Sequence, residues 1–210
     1  MKKEEFYEER GLDRIINLSD AVFAFSLTLL TVDLVVPDMQ GSSGSLLIHD
    51  LAGEYSRFLY FILTFFITAS YWTSHHRIFR FIERYDSVLM RINLYFLFFI
   101  TLMPFITKMI SEYGHVQVAV VICALGYAIP GFLLSVMWHY ASRDHLLLKK
   151  GIPVDFSRRT RIKNYIRPMI FIFSIPFSFI NPSYTLYFWI LLLPASIILN
   201  YIYPDIAYED

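Results

Sequence analysis

Residues 14–37 read RIINLSDAVFAFSLTLLTVDLVVP. From Ala21 to Val36 the stretch is suited to hydrocarbon, with one late acid, Asp33. Yet it opens with Arg14, Asn17, Ser19 and Asp20. Polar and ionisable groups inside a bilayer are expensive, and they face the interior of a helix bundle or a water-filled space. This segment is therefore read as a spanning helix that packs against protein on one side, within a bundle of several spans.

The rest of the chain agrees. Of its 210 residues 56% are hydrophobic, 18% aromatic and only 17% charged, with mean hydropathy +0.49. Soluble domains carry more charge and fewer aromatics. The class is all-α, a polytopic membrane protein with six transmembrane helices per subunit, because six stretches have the roughly 20 mostly apolar residues that a span needs. They are about 14–36, 55–80, 87–110, 115–140, 164–180 and 183–203. The whole chain, 1–210, is read as one six-helix domain. The N-terminal MKKEEFYEERGLD is mixed in charge and lacks an apolar core, and the span that follows is too long for a signal segment, so it is read as retained. Pro104, Pro130, Pro168, Pro176 and Pro194 fall in or at the ends of spans, where kinks are expected. The one cysteine, Cys123, excludes an intrachain disulfide and reads as a packing residue.

Positive charge sets the orientation. All Lys and Arg residues except Arg57 and Lys108 fall in three places: the N-terminal segment, the turn between spans two and three, and the connector 141–163 with its approach to span five. Both termini are thus expected in the cytoplasm, with the Gly/Ser-rich loop 37–54 outside. The connector is expected to lie against anionic headgroups. A net charge of zero suggests no nucleic-acid partner.

With that orientation, Arg14, Asn17, Ser19 and Asp20 of span one lie at a similar depth to His75 and His76 of span two and Asn93 of span three. One buried network is expected from them, acting as glue between the three helices or as a gate or relay. Asp20 stands out, since Arg14 is about 9 Å away along the helix and a partner on another helix or subunit is open to it. On a helical wheel Asn17, Ala21, Phe25, Thr28 and Val32 share a sector of about 80°. Ser19, Ser26 and Asp33 lie opposite at seven-residue spacing. No metal site is expected: the adjacent histidines project about 100° apart, and no carboxylate cluster accompanies them. No HExxH, GxSxG or phosphate-loop motif occurs, so nothing points to an enzyme or a cofactor.

The run RIINLSD resembles the R-x-x-x-F-S-D signature of the endolysosomal-type potassium channels and their bacterial relatives. The similarity continues through YWTSHHRIFRFI (71–82) and INLYFLFFITLMPFIT (92–107). Arg14, Ser19 and Asp20 match; Leu18 replaces the family's phenylalanine. The resemblance implies a bacterial inner-membrane homotetramer whose first helix lines a central pore for potassium ions. It implies an apolar constriction at Phe25, where the family usually has isoleucine or leucine, followed by Leu29 and Val32. It places a threonine layer for selectivity at Thr28. No TVGYG-like carbonyl filter is present. The alternative is a proton- or ion-coupled transporter that uses the buried acid and histidines as a relay; a non-conducting scaffold is a third reading.

Overall fold

The computed structural model describes residues 2–34, 54–143, 147–149 and 151–190. Residues 37–53 of the expected loop, residues 191–203 of the expected sixth span and the acidic C-terminus lie outside the described residues. Among the described residues seven α-helices follow in order: α1 (Lys2–Leu29), extended by a 3-10 turn (Leu30–Asp33), α2 (Tyr55–Arg80), α3 (Ser87–Thr101), α4 (Met103–Tyr113), α5 (Gln117–Ser142), α6 (Val154–Ser178) and α7 (Pro182–Ile190). The one β-type pairing among them is an isolated bridge between Ile82 and Leu148. The architecture is therefore all-helical. Gly11–Val32, Ser87–Tyr113 and Gln117–Ser142 are long and apolar enough to cross a membrane. The other helices carry more Tyr, Thr, Ser and Arg.

Two helices begin earlier than apolarity suggests. α1 starts at Lys2 rather than near Arg14, and α6 starts at Val154 rather than Asn164. Residues 2–13 and 154–163 are polar, so a search for apolar runs passes over them, although nothing in them breaks a helix. The expected third span, 87–110, is two helices. Pro104 explains the break. It has no N–H to give the carbonyl of Ile100 four residues earlier, so α3 stops at Thr101 and α4 restarts with Pro104 in its first turn. Pro130, Pro168 and Pro176 stay inside continuous helices.

The core is built around α5, whose Cys123, Ala124, Tyr127, Ala128, Met137 and Trp138 are fully enclosed. α6 lies along it. Gly131 permits this approach: a Cβ there would sit 2.9 Å from Pro168 Cδ. Trp138 Nε1 donates to the Ser157 carbonyl at 3.0 Å. Arg167 ties α6 to α2, donating to the Ser70 carbonyl at 3.3 Å and to Ser74 Oγ. At the basic end of the bundle the turn after α2 pairs with the segment before α6, Glu83 N–H to the Leu147 carbonyl and Lys149 N–H to the Phe81 carbonyl, both at 2.9 Å. Asp86 then caps α3, accepting from the N–H groups of Val88 (3.1 Å) and Leu89 (2.8 Å) and from the Tyr140 hydroxyl. Within this frame α1 packs beside α3 and α2.

Candidate functional site

α1 has two faces. Ile15, Ser19, Phe23, Ser26 and Leu30, spaced three and four apart, are buried. They form the stripe by which an amphipathic helix seats on its neighbours. The opposite face is uncovered: Asn17, Leu18, Ala21, Ala24, Phe25, Thr28, Thr31 and Val32 are half-buried or exposed, Phe25 at 64% and Val32 at 72%. The five residues of the wheel sector thus stand together on the open side, with Leu29 at its margin. The Thr28 hydroxyl donates to the Phe25 carbonyl at 2.8 Å, and the Thr31 hydroxyl donates to the Thr28 carbonyl at 2.7 Å. Each hydroxyl hydrogen is therefore used within the helix, while the oxygen keeps lone pairs directed outward.

The polar residues expected as one network resolve into two groups. The first is buried and directional. His75 Nε2 lies 2.8 Å from Asn93 Oδ1, Asn93 Nδ2 donates to Ser19 Oγ at 3.1 Å, and Ser19 donates to the Ile15 carbonyl at 2.8 Å. The His75 ring is stacked on Phe79 (4.3 Å) and Phe96 (5.4 Å), and Phe23 leans against it at 6.0 Å. This chain joins α1, α2 and α3. The second group lies on the outer surface: Trp72 Nε1 donates to Asp20 Oδ1 at 2.8 Å, and His76 lies against the Trp72 ring at 5.8 Å. Helical geometry explains the split. Ser19 and Asp20 are adjacent, as are His75 and His76, and a step of about 100° sends one of each pair inward and the other out.

Arg14 and Asn17 join neither group, and among the described residues no Arg14–Asp20 ion pair forms. Arg14 instead lines an open cavity of about 340 Å³ with Gly11, Ile15, Leu18, Tyr85 and Asn93.

Two contacts escape the sequence reading. Trp72 as the partner of Asp20 has no signal beyond its position in the similar stretch 71–82. Ser26 Oγ donates to the Ile100 carbonyl at 2.7 Å, and here the seven-residue spacing of Ser19 and Ser26 is a signal. Asn93 and Ile100 are also seven apart, so α1 meets α3 at two points in one register.

Residues 14–104 match the family described as endosomal/lysosomal potassium channel TMEM175. A potassium channel of Streptomyces collinus is 29% identical over 179 residues, which cover 82% of this chain and 85% of the relative. A potassium channel of a Chryseobacterium species is 27% identical over 181 residues, 85% and 88% of the two chains. The crystal structure of a lysosomal potassium-selective channel TMEM175 homologue from Chamaesiphon minutus superposes with a TM-score of 0.78 at 23% identity, covering 93% of this chain and 100% of that one. That last likeness is one of fold.

Proposed function

We propose that the chain, whose residues 14–104 match the TMEM175 family and which is 29% identical to a bacterial potassium channel, is a potassium-preferring cation channel rather than an enzyme. Its single domain crosses the bacterial inner membrane six times with both termini in the cytoplasm. Four copies surround one axis, and the open face of α1 lines the pore. Phe25, Leu29 and Val32 form the apolar constriction over about two turns, roughly 10 Å of helix. Thr28 sits between them. The permeant ion is potassium, and no cofactor takes part.

The observation that carries this reading is the chemistry of the uncovered α1 face. On the other long helices the outward faces are dominated by large side chains: Phe58, Phe65 and Phe66 on α2, Ile122 and Leu125 on α5, Phe173 and Phe177 on α6. These suit lipid. The α1 face alternates Ala21, Ala24, Thr28 and Thr31 with Phe25 and Val32. Small residues let helices approach closely in a membrane, and outward hydroxyl oxygens are wasted on hydrocarbon. Such a face fits a close neighbour and a narrow aqueous path.

The mechanism follows from hydration. Potassium is larger than sodium and holds its water less strongly, so a narrow apolar ring admits potassium at lower cost. Thr28 Oγ1, whose hydrogen is engaged by the Phe25 carbonyl, offers a lone pair to a partly hydrated cation beside the ring. The deciding measurement is potassium against sodium flux through purified protein in liposomes. Rapid flux with potassium preferred supports the proposal. Slow, saturable flux coupled to protons points to a transporter, and no flux at all points to a scaffold.

A further inference from the structure

Resting on the channel reading above, we infer that Ser26 is the positioning residue of the pore, a latch that fixes the rotation of α1 at the constriction by occupying the backbone gap that Pro104 opens. Ile100 is fully buried. In an unbroken helix its carbonyl accepts from the N–H of residue 104, and Pro104 has none. Buried backbone carbonyls require a partner. The Leu102 N–H turns toward this carbonyl from two residues on, but its full-geometry bond goes to Phe99 at 3.3 Å; Ser26 supplies the well-placed donor from another helix, at 2.7 Å, and Ser26 is itself buried.

The placement gives this bond leverage. Ser26 follows Phe25 directly and precedes Thr28 by two residues. The lower contact, Ser19 with Asn93, lies seven residues before it on both helices. Two attachment points one heptad apart, about 10 Å along the axis, fix both the height and the rotation of α1 against α3. Loss of the upper one leaves the non-directional packing of Phe23 and Leu30 to hold this part of the helix, so the Phe25 side chains gain freedom to turn about the axis. The break between α3 and α4 is thereby part of the permeation machinery: it presents the carbonyl on which the pore helix is hung.

The test is a double-mutant cycle in the full-length protein, with Ser26→Ala, Pro104→Ala and both together, and Ser26→Thr as the conservative control. The Pro104→Ala substitution brings back an N–H for the Ile100 carbonyl, so it makes the serine dispensable. We expect Ser26→Ala to change potassium conductance or the potassium-to-sodium permeability ratio by about 3- to 10-fold, the factor a net hydrogen bond corresponds to. Ser26→Thr retains wild-type behaviour. In the Pro104→Ala background, Ser26→Ala changes permeation by less than about twofold, by the same reasoning. The melting temperatures of wild type, the two single variants and the double variant show the same non-additivity. Ser26→Ala permeation equal to wild type in a well-assembled protein overturns the inference, as do strictly additive effects of the two substitutions. A wild-type protein that passes no potassium defeats the channel reading instead, and the melting cycle alone then decides whether the latch exists.

Discussion

Ser19 and Asp20 share a peptide bond and have opposite surroundings, and the consequences of replacing them differ accordingly. Ser19, Asn93 and His75 are each buried with their hydrogen bonds directed at one another. Asn93→Ala strands the imidazole and removes the bond that the Ser19 hydroxyl accepts, leaving that hydroxyl only its own bond to the Ile15 carbonyl. A buried polar group without a partner costs about 1–3 kcal/mol, so the melting temperature should fall by several degrees while the protein's ion preference, set next to Phe25 by the upper contact of Ser26, stays the same; thermal unfolding in detergent and reversal potentials check the two halves. Asp20 instead holds Trp72 on the outer surface. Asp20→Ala and Trp72→Phe each remove one half of a single contact, so their effects on assembled yield should be equal and non-additive, as size-exclusion profiles of the two single variants and the double variant would reveal. Thr28 is the residue at which selectivity, not stability, should move. Its hydroxyl bonds only to its own helix, so Thr28→Ala leaves folding intact and lowers potassium preference by about threefold, the scale of one weak polar contact. Bi-ionic reversal potentials unchanged by the substitution would remove Thr28 from the selectivity mechanism.

At the level of helices, three of the apolar stretches correspond to helices long and apolar enough to cross a membrane, and apolarity missed what surrounds them. Residues 2–13 and 154–163 are helical without an apolar run to reveal them. The prolines in or at the ends of the expected spans were visible, but only a structure separates Pro104, which ends one helix and starts another, from Pro130 and Pro168, which remain within theirs. The difference lies in tertiary contacts, since Ser26 takes over the carbonyl that Pro104 abandons and so stabilises the break. The cap of α3 was legible in principle, as an aspartate directly before a helical run. Partial burial pushes the Asp86 carboxyl up, but the N–H groups of Leu89 and Val88 and the Tyr140 hydroxyl outweigh it and hold the group below its ordinary value. A depressed carboxyl stabilises the fold fully above the unfolded-state value and loses that contribution as pH falls through the folded one, which lies below the ordinary carboxylate value. Asp86→Ala should therefore lower stability by about 1 kcal/mol at neutral pH, and the gap from wild type should narrow in strong acid. Melting curves between about pH 7 and pH 3 follow both effects, and a gap that stays constant across that range would show that the carboxylate form is not what caps the helix.

For the whole molecule, the wheel of α1 identified a face, but the occupant of that face is not encoded in one copy of the chain. Phe25 and Val32 lie uncovered among the described residues, and the same pattern alone would serve a lipid-facing helix or a dimer contact. What separates these possibilities is symmetry and water. Around a fourfold axis, residues of the open face meet their own copies and the permeating solution, whereas Ser26 on the buried face meets neither. The chain is well suited to the comparison, because its single native cysteine, Cys123, is completely enclosed and needs no replacement. Phe25→Cys and Thr28→Cys should each bind silver ions and abolish flux, and under mild oxidation each should yield disulfide-linked dimers from a tetramer. Ser26→Cys should do neither while the protein stays assembled. Both outcomes are required together. Silver block without cross-linking would place the face in water but away from an axis, as in a transporter with one pathway per subunit. Cross-linking without block would place it at a dry interface, with the ion path elsewhere in the assembly.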